Sequence, residues 1–220
     1  MTPKLYLADE VLSLNSQGDI FKPGYVLIDD DRLVEVGPQS ALLGRSLDGA
    51  VHLERRLVMP GLVNAHTHTP MSLFRGMAEP YSLFTFEGWY AGIRGLEAVM
   101  DGDMVPQAVA VSCAEMIRTG TTCFADQYFY MERVVPVVAQ SGLRAALAYG
   151  IVELGDETAR RRELDAARRF LSLIHDHPRL TGWVGPHAFF VDHSLAAIQM
   201  EFALADEFST GIDFNLGNST

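Results

Sequence analysis

The stretch PGLVNAHTHTPMSLFRG, residues 60–76, places two histidines one residue apart at the end of a short apolar run. Side chains alternate between the two faces of a strand, so a strand through GLVNA would carry His66 and His68 on one face at its carboxyl end. In a (β/α) barrel that end is the mouth, where loops build active sites. Two imidazoles converging there suit a divalent metal such as zinc, and the alternative is a pair of solvated loop histidines.

Segments with strand and helix patterns alternate after this run. The predicted strands are 61–66, 121–126, 143–152, 180–185 and 211–216, and the predicted helices are 103–118, 132–140, 157–175 and 194–208. Asp103 is the expected N-cap of the first helix, and Pro106 is expected in its first turn. The alternation predicts a parallel sheet with right-handed crossovers. Because a glycine-rich phosphate loop is missing, an incomplete (β/α)8 barrel of about five strands is favoured over an open nucleotide-binding sheet.

The residues before this region have a different pattern. KLYLA, GYVLIDDDRLVEVG and VHLERRLVM read as short strands, and the middle segment has the layout of a hairpin that turns at residues 29–31. We therefore predict two domains, a small β unit at residues 1–58 and a partial (β/α) barrel at residues 59–220.

Composition limits the partners and the compartment. Seventeen Lys and Arg against 28 Asp and Glu give a formal net charge of −11, which excludes nucleic acid as the expected partner. The two cysteines are ten positions apart without a CxxC pair, which argues against a disulfide scaffold and predicts a reducing compartment. The sequence shows neither a secretory leader pattern nor an apolar run of about 18 residues, so we expect a cytoplasmic protein without a membrane partner.

Four motifs in order, PGLVNAHTH, MSLFRGMAE, EMIRTGTTCFADQYF and GPHAFF, resemble the amidohydrolase superfamily. The resemblance covers essentially the whole chain and is nearest to the 5-methylthioadenosine/S-adenosylhomocysteine deaminases and their chlorohydrolase relatives. It implies a metal-dependent (β/α)8 TIM-type barrel with a β-sandwich made from both chain ends, so residues 1–58 would be a sandwich segment. One zinc, or sometimes iron, is expected to activate a water that displaces an amino group as ammonia.

The resemblance also implies roles for single residues. His66 and His68 match the first two metal ligands, while a His after the fifth strand and an Asp after the eighth complete the set in the family. His187, in GPHAFF, matches a histidine that contacts the substrate. Trp89 matches a tryptophan that lines the base or thioether pocket, and an ordinary core indole is the alternative.

Three further positions carry open alternatives. Arg160 falls near a family arginine that approaches the substrate tail, and a surface arginine is the alternative, because the cluster around it alternates with acids as on a solvated helix face. Tyr149 stands where the family has another substrate-binding arginine, which affects specificity for a thioadenosine or homocysteine tail. Asp126, at the end of the second predicted strand, is expected either to face the mouth or to cap a loop.

The fifth predicted strand departs from the family pattern. Where the family has a string like IHIHLSET, this chain has IDFNLGNS, with Asn215 at the ligand position and Asn218 at that of the proton-transferring Glu. An amide oxygen is a poor zinc ligand beside imidazole, and Asn cannot act as a general base. Asp213 could offer a carboxylate from the same strand face. The expected consequence is the loss of both functions in this chain.

These observations support competing functions. The first is a metal-dependent hydrolase that deaminates a purine nucleoside such as 5-methylthioadenosine, S-adenosylhomocysteine or adenosine. The alternatives are a catalytically inactive truncated homologue, a hydrolase of guanine, cytosine or an s-triazine, and a small-molecule binding module. An unfinished barrel would expose sheet edges and apolar interior, so we expect a homo-oligomer or a missing C-terminal half as partner.

Overall fold

The structure, a computed structural model, describes residues 3–82, 84–153, 155–187 and 194–214. The chain divides into two compact units, Met1–Gly61 and Leu62–Thr220. Within the described ranges, no helix has the length and the hydropathy needed to cross a bilayer.

The first unit is a twisted β unit. Its described strands are β1 (Lys4–Leu12), β2 (Ile20–Phe21), β3 (Gly24–Asp29), β4 (Arg32–Pro38) and β5 (Val51–Val58). Strand β1 pairs antiparallel with β2 and β3 and parallel with β5. The predicted hairpin is present as β3 and β4, and Asp30 in its turn has a φ of 52°, a conformation that Asp tolerates better than most residues.

Alternation along β1 gives the first unit two apolar clusters. Leu7 packs with Tyr25 and Leu42, while Ala8 packs with Val11 and Val26. Because neighbouring residues of a strand point to opposite faces, both faces of this sheet bury apolar surface.

The described part of the second unit is built on a parallel sheet. Its strands, in spatial order, are β6 (Leu62–Thr67), β7 (Thr121–Tyr128), β8 (Arg144–Ile151) and β9 (Leu180–Pro186). Every adjacent pair is parallel, as the alternating pattern predicts. All four strands therefore end at the same edge of the sheet, and that edge collects the side chains that follow them.

The helices lie between these strands. They are α1 (Phe86–Trp89), α2 (Gly95–Glu97), α3 (Val105–Arg118), α4 (Met131–Ser141), α5 (Glu157–Ile174) and α6 (Leu195–Glu207). Helix α5 begins where the Asp156 side chain accepts hydrogen bonds from the N–H groups of Thr158 and Ala159. Ser194 caps α6 in the same way. These polar side chains satisfy backbone donors that have no partner within the helix.

Two sequence expectations need correction. Asp103 is not the N-cap of α3, because a 3₁₀ turn at Gly102–Met104 precedes the helix and Asp101 accepts the capping hydrogen bond from the Asp103 N–H. Pro106 does lie in the first turn. In the described residues, the fifth predicted strand is reduced to one parallel bridge between Val184 and Ile212, and residues 215–216 lie outside the described ranges.

The segment between β6 and α3 contains short helical pieces that apolar periodicity does not predict. A 3₁₀ helix at Thr69–Phe74 follows β6, and a π-helical turn at Tyr90–Arg94 joins α1 to α2. Each piece is too short to display a repeating apolar face, which is why the pattern is missing from the sequence. This segment nevertheless supplies several side chains to the site.

The core of the second unit lies between the sheet and its helices. Phe124 and Leu147 from the strands are almost fully buried against Val109, Val134 and Ile174 from the helices. Strand β6, at the end of the described sheet, instead exposes 52 % of Leu62 and 68 % of Val63. The well-buried part of the sheet is therefore β7 to β9, and β6 is an edge strand of the described sheet.

Candidate active site

His66 and His68 lie together at the carboxyl end of β6. Their ring centroids are 4.9 Å apart, and the ring planes are nearly perpendicular at 78°. His66 is exposed, whereas His68 is half-buried. The two residues predicted from the HxH spacing are thus close enough for both imidazoles to face one ion.

The ring of His68 is held in one tautomer. Its Nδ1 lies 2.6 Å from the backbone carbonyl oxygen of Gln127 on β7. A carbonyl oxygen only accepts, so Nδ1 carries the proton and donates, which leaves the lone pair on Nε2. Such a hydrogen bond is what orients a metal-binding histidine, and imidazole nitrogen suits zinc or iron. The donors present therefore fit the predicted metal.

Asp126 lies at the end of β7 and is fully buried. Its Oδ1 accepts from the Thr69 N–H at 2.7 Å and from the Thr67 hydroxyl at 2.8 Å, and its Oδ2 accepts from the Thr69 hydroxyl at 2.7 Å. Burial raises the pKa of this carboxyl, and the hydrogen bonds from Thr69 and Thr67 oppose the rise. Of the two expectations for Asp126, the structure shows the loop-capping one.

A cavity of about 190 Å³ opens beside His68. Trp89 and His187 both line it, with ring centroids 6.0 Å apart. Its other described lining residues are Met71, Ile93, Glu97, Gln127, Tyr128, Phe129 and Gly150. The structure thus brings His68, Trp89 and His187 together from three distant parts of the chain. A small cavity with aromatic walls and a few polar groups is typical of a ligand site.

His187 is neutral at physiological pH. Burial, together with the smaller effects of Arg94 and His68, lowers the pKa of its imidazole to about 4. Its Nδ1 is buried and has no hydrogen-bond partner among the described residues. A buried ring nitrogen without a partner is costly, so this atom is well placed to bond a ligand in the cavity.

The low pKa of His187 predicts a pH-dependent stability. The imidazole titrates near 6.5 in the unfolded chain and near 4 in the folded one, so the unfolded state binds more protons between these values. Stability should be complete above about pH 6.5 and fall by at most roughly 3 kcal/mol as the pH drops through 4. Urea unfolding between pH 4 and pH 7 measures this, and His187→Gln should flatten the difference. Equal pH slopes in the two proteins would contradict the assignment.

Glu97 is a member of the site that sequence reasoning missed. Its carboxylate accepts from Arg94 at 2.5 Å, and Arg94 lies over the Phe129 ring at 5.5 Å from its centroid. The ion pair is shielded, with the Glu97 side chain only 8 % exposed. No local pattern in the sequence points to Glu97, because the short helical pieces around it have no readable apolar face.

Tyr149 and Arg160 lie away from the His68 cavity. The Tyr149 hydroxyl donates to Glu163 at 2.9 Å and lines a different cavity of about 750 Å³. Arg160 is buried, with Nη2 2.8 Å from Glu153 and 3.1 Å from the Ser194 hydroxyl, so the expectation of a surface arginine is wrong. Neither residue is among the described lining of the cavity that contains His68.

The predicted third ligand position, Asn215, and the Glu position, Asn218, lie outside the described residues. Asp213 is inside them, and its backbone N–H donates to the Val184 carbonyl at 2.8 Å. Burial raises the pKa of the Asp213 carboxyl, and His66 and His68 oppose the rise. In the part of the chain that the structure describes, no three His, Cys, Asp or Glu side chains form a group that could hold a metal.

The sequence pattern of the Amidohydrolase family matches residues 57–220. The chain belongs to the amidohydrolase family. Among its relatives, the 5'-deoxyadenosine deaminase of Methanosarcina barkeri is 39% identical over 175 residues, covering 78% of this chain and 39% of the relative. The enzyme of that name from Methanocaldococcus jannaschii is 36% identical over 168 residues, covering 74% and 39%. The chain thus spans about two fifths of the length of these curated relatives.

Solved structures of this amidohydrolase's relatives agree with the fold. An adenosine deaminase from Xanthomonas campestris with bound zinc superimposes with a TM-score of 0.80 at 26% identity, covering 96% of this chain and 48% of that one. An atrazine chlorohydrolase from Arthrobacter aurescens in complex with zinc superimposes with a TM-score of 0.82 at 17% identity, covering 96% of this chain and 52% of that one. At this identity, the similarity shows the fold alone. The predicted fold class is therefore confirmed: the N-terminal part of a (β/α)8 barrel, incomplete, preceded by a β-sandwich segment.

Proposed function

We propose that this chain supplies the His66 and His68 side of the active site of a metal-dependent hydrolase that deaminates an adenosine-type nucleoside. The observation that carries the proposal is the position of the two imidazoles at the carboxyl end of β6, beside the cavity lined by Trp89 and His187. The names of its relatives, 5'-deoxyadenosine deaminase and adenosine deaminase, support the reaction class.

The residues around the cavity suit a purine nucleoside. The indole of Trp89 offers a flat apolar face for a base. Neutral His187 has a ring nitrogen in need of a partner, which a base nitrogen or the leaving amino group can provide. The carboxylate of Glu97 can accept hydrogen bonds from ribose hydroxyls. When bound, a divalent metal would activate water for attack on the carbon that bears the amino group.

The charges of the cavity favour a small uncharged 5' substituent. Its described lining residues include Glu97 but neither Lys nor Arg. A homocysteine tail carries an ammonium group, which Glu97 could accept, and also a carboxylate, whose burial without a cation is costly. Among the substrates considered, 5'-deoxyadenosine, 5-methylthioadenosine and adenosine therefore fit better than S-adenosylhomocysteine.

A catalytically inactive homologue is the second candidate. The observation that favours it is that the described residues do not group a third metal-binding side chain with His66 and His68. The sequence adds Asn215 and Asn218 at the positions where the family resemblance expects a ligand and a base. Such a chain would keep the fold and the nucleoside cavity while lacking turnover.

Calorimetry with the zinc-supplemented chain tests both candidates. We expect 5'-deoxyadenosine to bind more tightly than guanine or melamine, and Trp89→Ala to weaken binding by about 5- to 150-fold, the range for loss of one base–aromatic stack. His52→Ala, an exposed histidine of the first unit, is the matched control. Ammonia release in the same samples would support the deaminase, and nucleoside binding without ammonia release would support the inactive homologue. Preference for guanine or the triazine would contradict the nucleoside proposal.

A further inference from the structure

We propose that Asp126 is a positioning residue, which fixes the conformation of the two ligand histidines through Thr67 and Thr69. The inference rests on the proposed function only in taking His66 and His68 as the metal ligands. Asp126 itself is fully buried and is not among the described residues that line the cavity. Its effect on the site is therefore indirect, through other side chains.

The contacts of Asp126 alternate with the histidines along the chain. Thr67 lies between the two histidines, and its hydroxyl lies 2.8 Å from Asp126 Oδ1 and 2.7 Å from the Ala125 carbonyl oxygen. Thr69 follows His68 and donates both its backbone N–H and its hydroxyl to the carboxylate, each at 2.7 Å. Thr67 and Thr69, the two residues that flank His68, are therefore both hydrogen-bonded to one buried group.

The cost of burying a carboxylate makes this tie strong. A buried carboxyl group is stable only while its oxygens keep their hydrogen-bond partners. Among the described residues, the donors to the Asp126 side chain are Thr67 and Thr69. Any rotation of the backbone between His66 and Thr69 would break at least one of these bonds, so the burial of Asp126 holds that backbone in a single conformation.

The next residue of β7 completes the arrangement. The carbonyl oxygen of Gln127 accepts from His68 Nδ1 at 2.6 Å, which selects the tautomer with a free Nε2. The Gln127 side chain donates to the carbonyl oxygens of Pro186 and Asp213 at 3.1 and 2.9 Å. Asp126 holds the backbone on both sides of His68, and the Gln127 carbonyl holds the His68 ring. These two residues of β7 together set the direction in which Nε2 points.

The test compares four single variants of the full chain by NMR of the histidine rings. Asp126→Asn replaces one oxygen by an NH₂ group, which either faces the Thr69 N–H or forces the Thr69 hydroxyl to turn from donor to acceptor, so at least one bond of the set changes. Thr67→Val removes one hydroxyl at nearly constant shape, and Thr67→Ser restores it. Thr121→Val, at the amino end of β7, is the control for a loss of stability without a change near His68.

We expect Asp126→Asn and Thr67→Val to lose or broaden the His68 Nδ1–H signal, whereas Thr67→Ser and Thr121→Val retain it. If Asp126→Asn does not fold, the Thr67 pair decides. A wild-type signal in folded Asp126→Asn or Thr67→Val would overturn the inference.

Zinc titration separates this inference from the proposed function. If the wild-type chain binds Zn²⁺, Asp126→Asn should bind about 10- to 100-fold more weakly, the range for loss of an outer contact to a metal ligand. Unchanged affinity in that variant would overturn the positioning role. If the wild-type chain binds no Zn²⁺, the proposed function fails, while the ring spectra still decide whether Asp126 positions His68.

Discussion

Replacing His68 with alanine is expected to abolish measurable zinc binding by the chain. A structural zinc site with four ligands yields about 10–16 kcal/mol, so two imidazoles would give roughly half of that, or a Kd between about 1 µM and about 0.2 mM. His68 supplies the better-held donor, because the Gln127 carbonyl fixes its ring. Loss of one ligand should cost about 3 kcal/mol, which weakens binding by roughly 100-fold.

Competition with a chromophoric zinc chelator measures this loss. His66→Ala should weaken binding to a similar degree, since its ring centroid lies only 4.9 Å from that of His68. His175→Ala is the matched control. His175 is an exposed histidine beside the Asp176 carboxylate, and it is far from β6 in the sequence. Equal affinities of the wild type, His66→Ala and His68→Ala would show that the pair is not the zinc site.

The sequence allowed the parallel part of the fold to be predicted because its signals are local. Strands β7, β8 and β9 are segments of seven or eight residues rich in small and β-forming residues, and each is separated from the next by a helix with a readable apolar face. Helix α5 also begins at a recognisable cap, Asp156. Strand patterns and helix caps depend on residues within a few positions of one another, so they can be recognised in the sequence before the fold is known.

The site was only partly predictable because its members come from separate segments. The HxH spacing identified His66 and His68, but neither Glu97 nor the Gln127 carbonyl has a local signal that connects it to them. Tyr149 illustrates a second limit. Gly150 lines the His68 cavity, whereas the neighbouring Tyr149 lines another, and a shift of one residue along a strand exchanges its two faces.

The burial of Arg160 could not be predicted from the arginine-rich pattern around it. Arginine is rarely buried unless it is paired, and helical alternation with acids usually marks a solvated face. The partner, Glu153, precedes α5 by a few residues and follows β8, so the pair forms only when the connection between them folds. The two side chains are 10% and 1% exposed, in contrast to the neighbouring Arg161 and Glu157 pair at 73% and 66%.

Replacing Arg160 with methionine is therefore expected to lower the free energy of unfolding by about 3–5 kcal/mol, the cost of breaking a buried ion pair by removing one member. The Glu153 carboxylate is 1% exposed and would lose a hydrogen bond of 2.8 Å. The Ser194 hydroxyl, which also accepts from Arg160, caps α6, so the change should loosen the beginning of that helix as well. Urea unfolding with linear extrapolation gives the free energy directly.

Arg161→Met is the matched control, because it removes the same charge one residue further along α5. Its ion pair with Glu157 is exposed, so the expected loss is about 0.5 kcal/mol or less. The double variant Glu153→Gln with Arg160→Met should recover much of the stability lost by Arg160→Met, since the side chain at position 153 then carries no charge. If Arg160→Met and Arg161→Met were equally stable, burial would not govern the pair, and Arg160 would be free to serve another role, such as the contact with a substrate tail that the family resemblance implies.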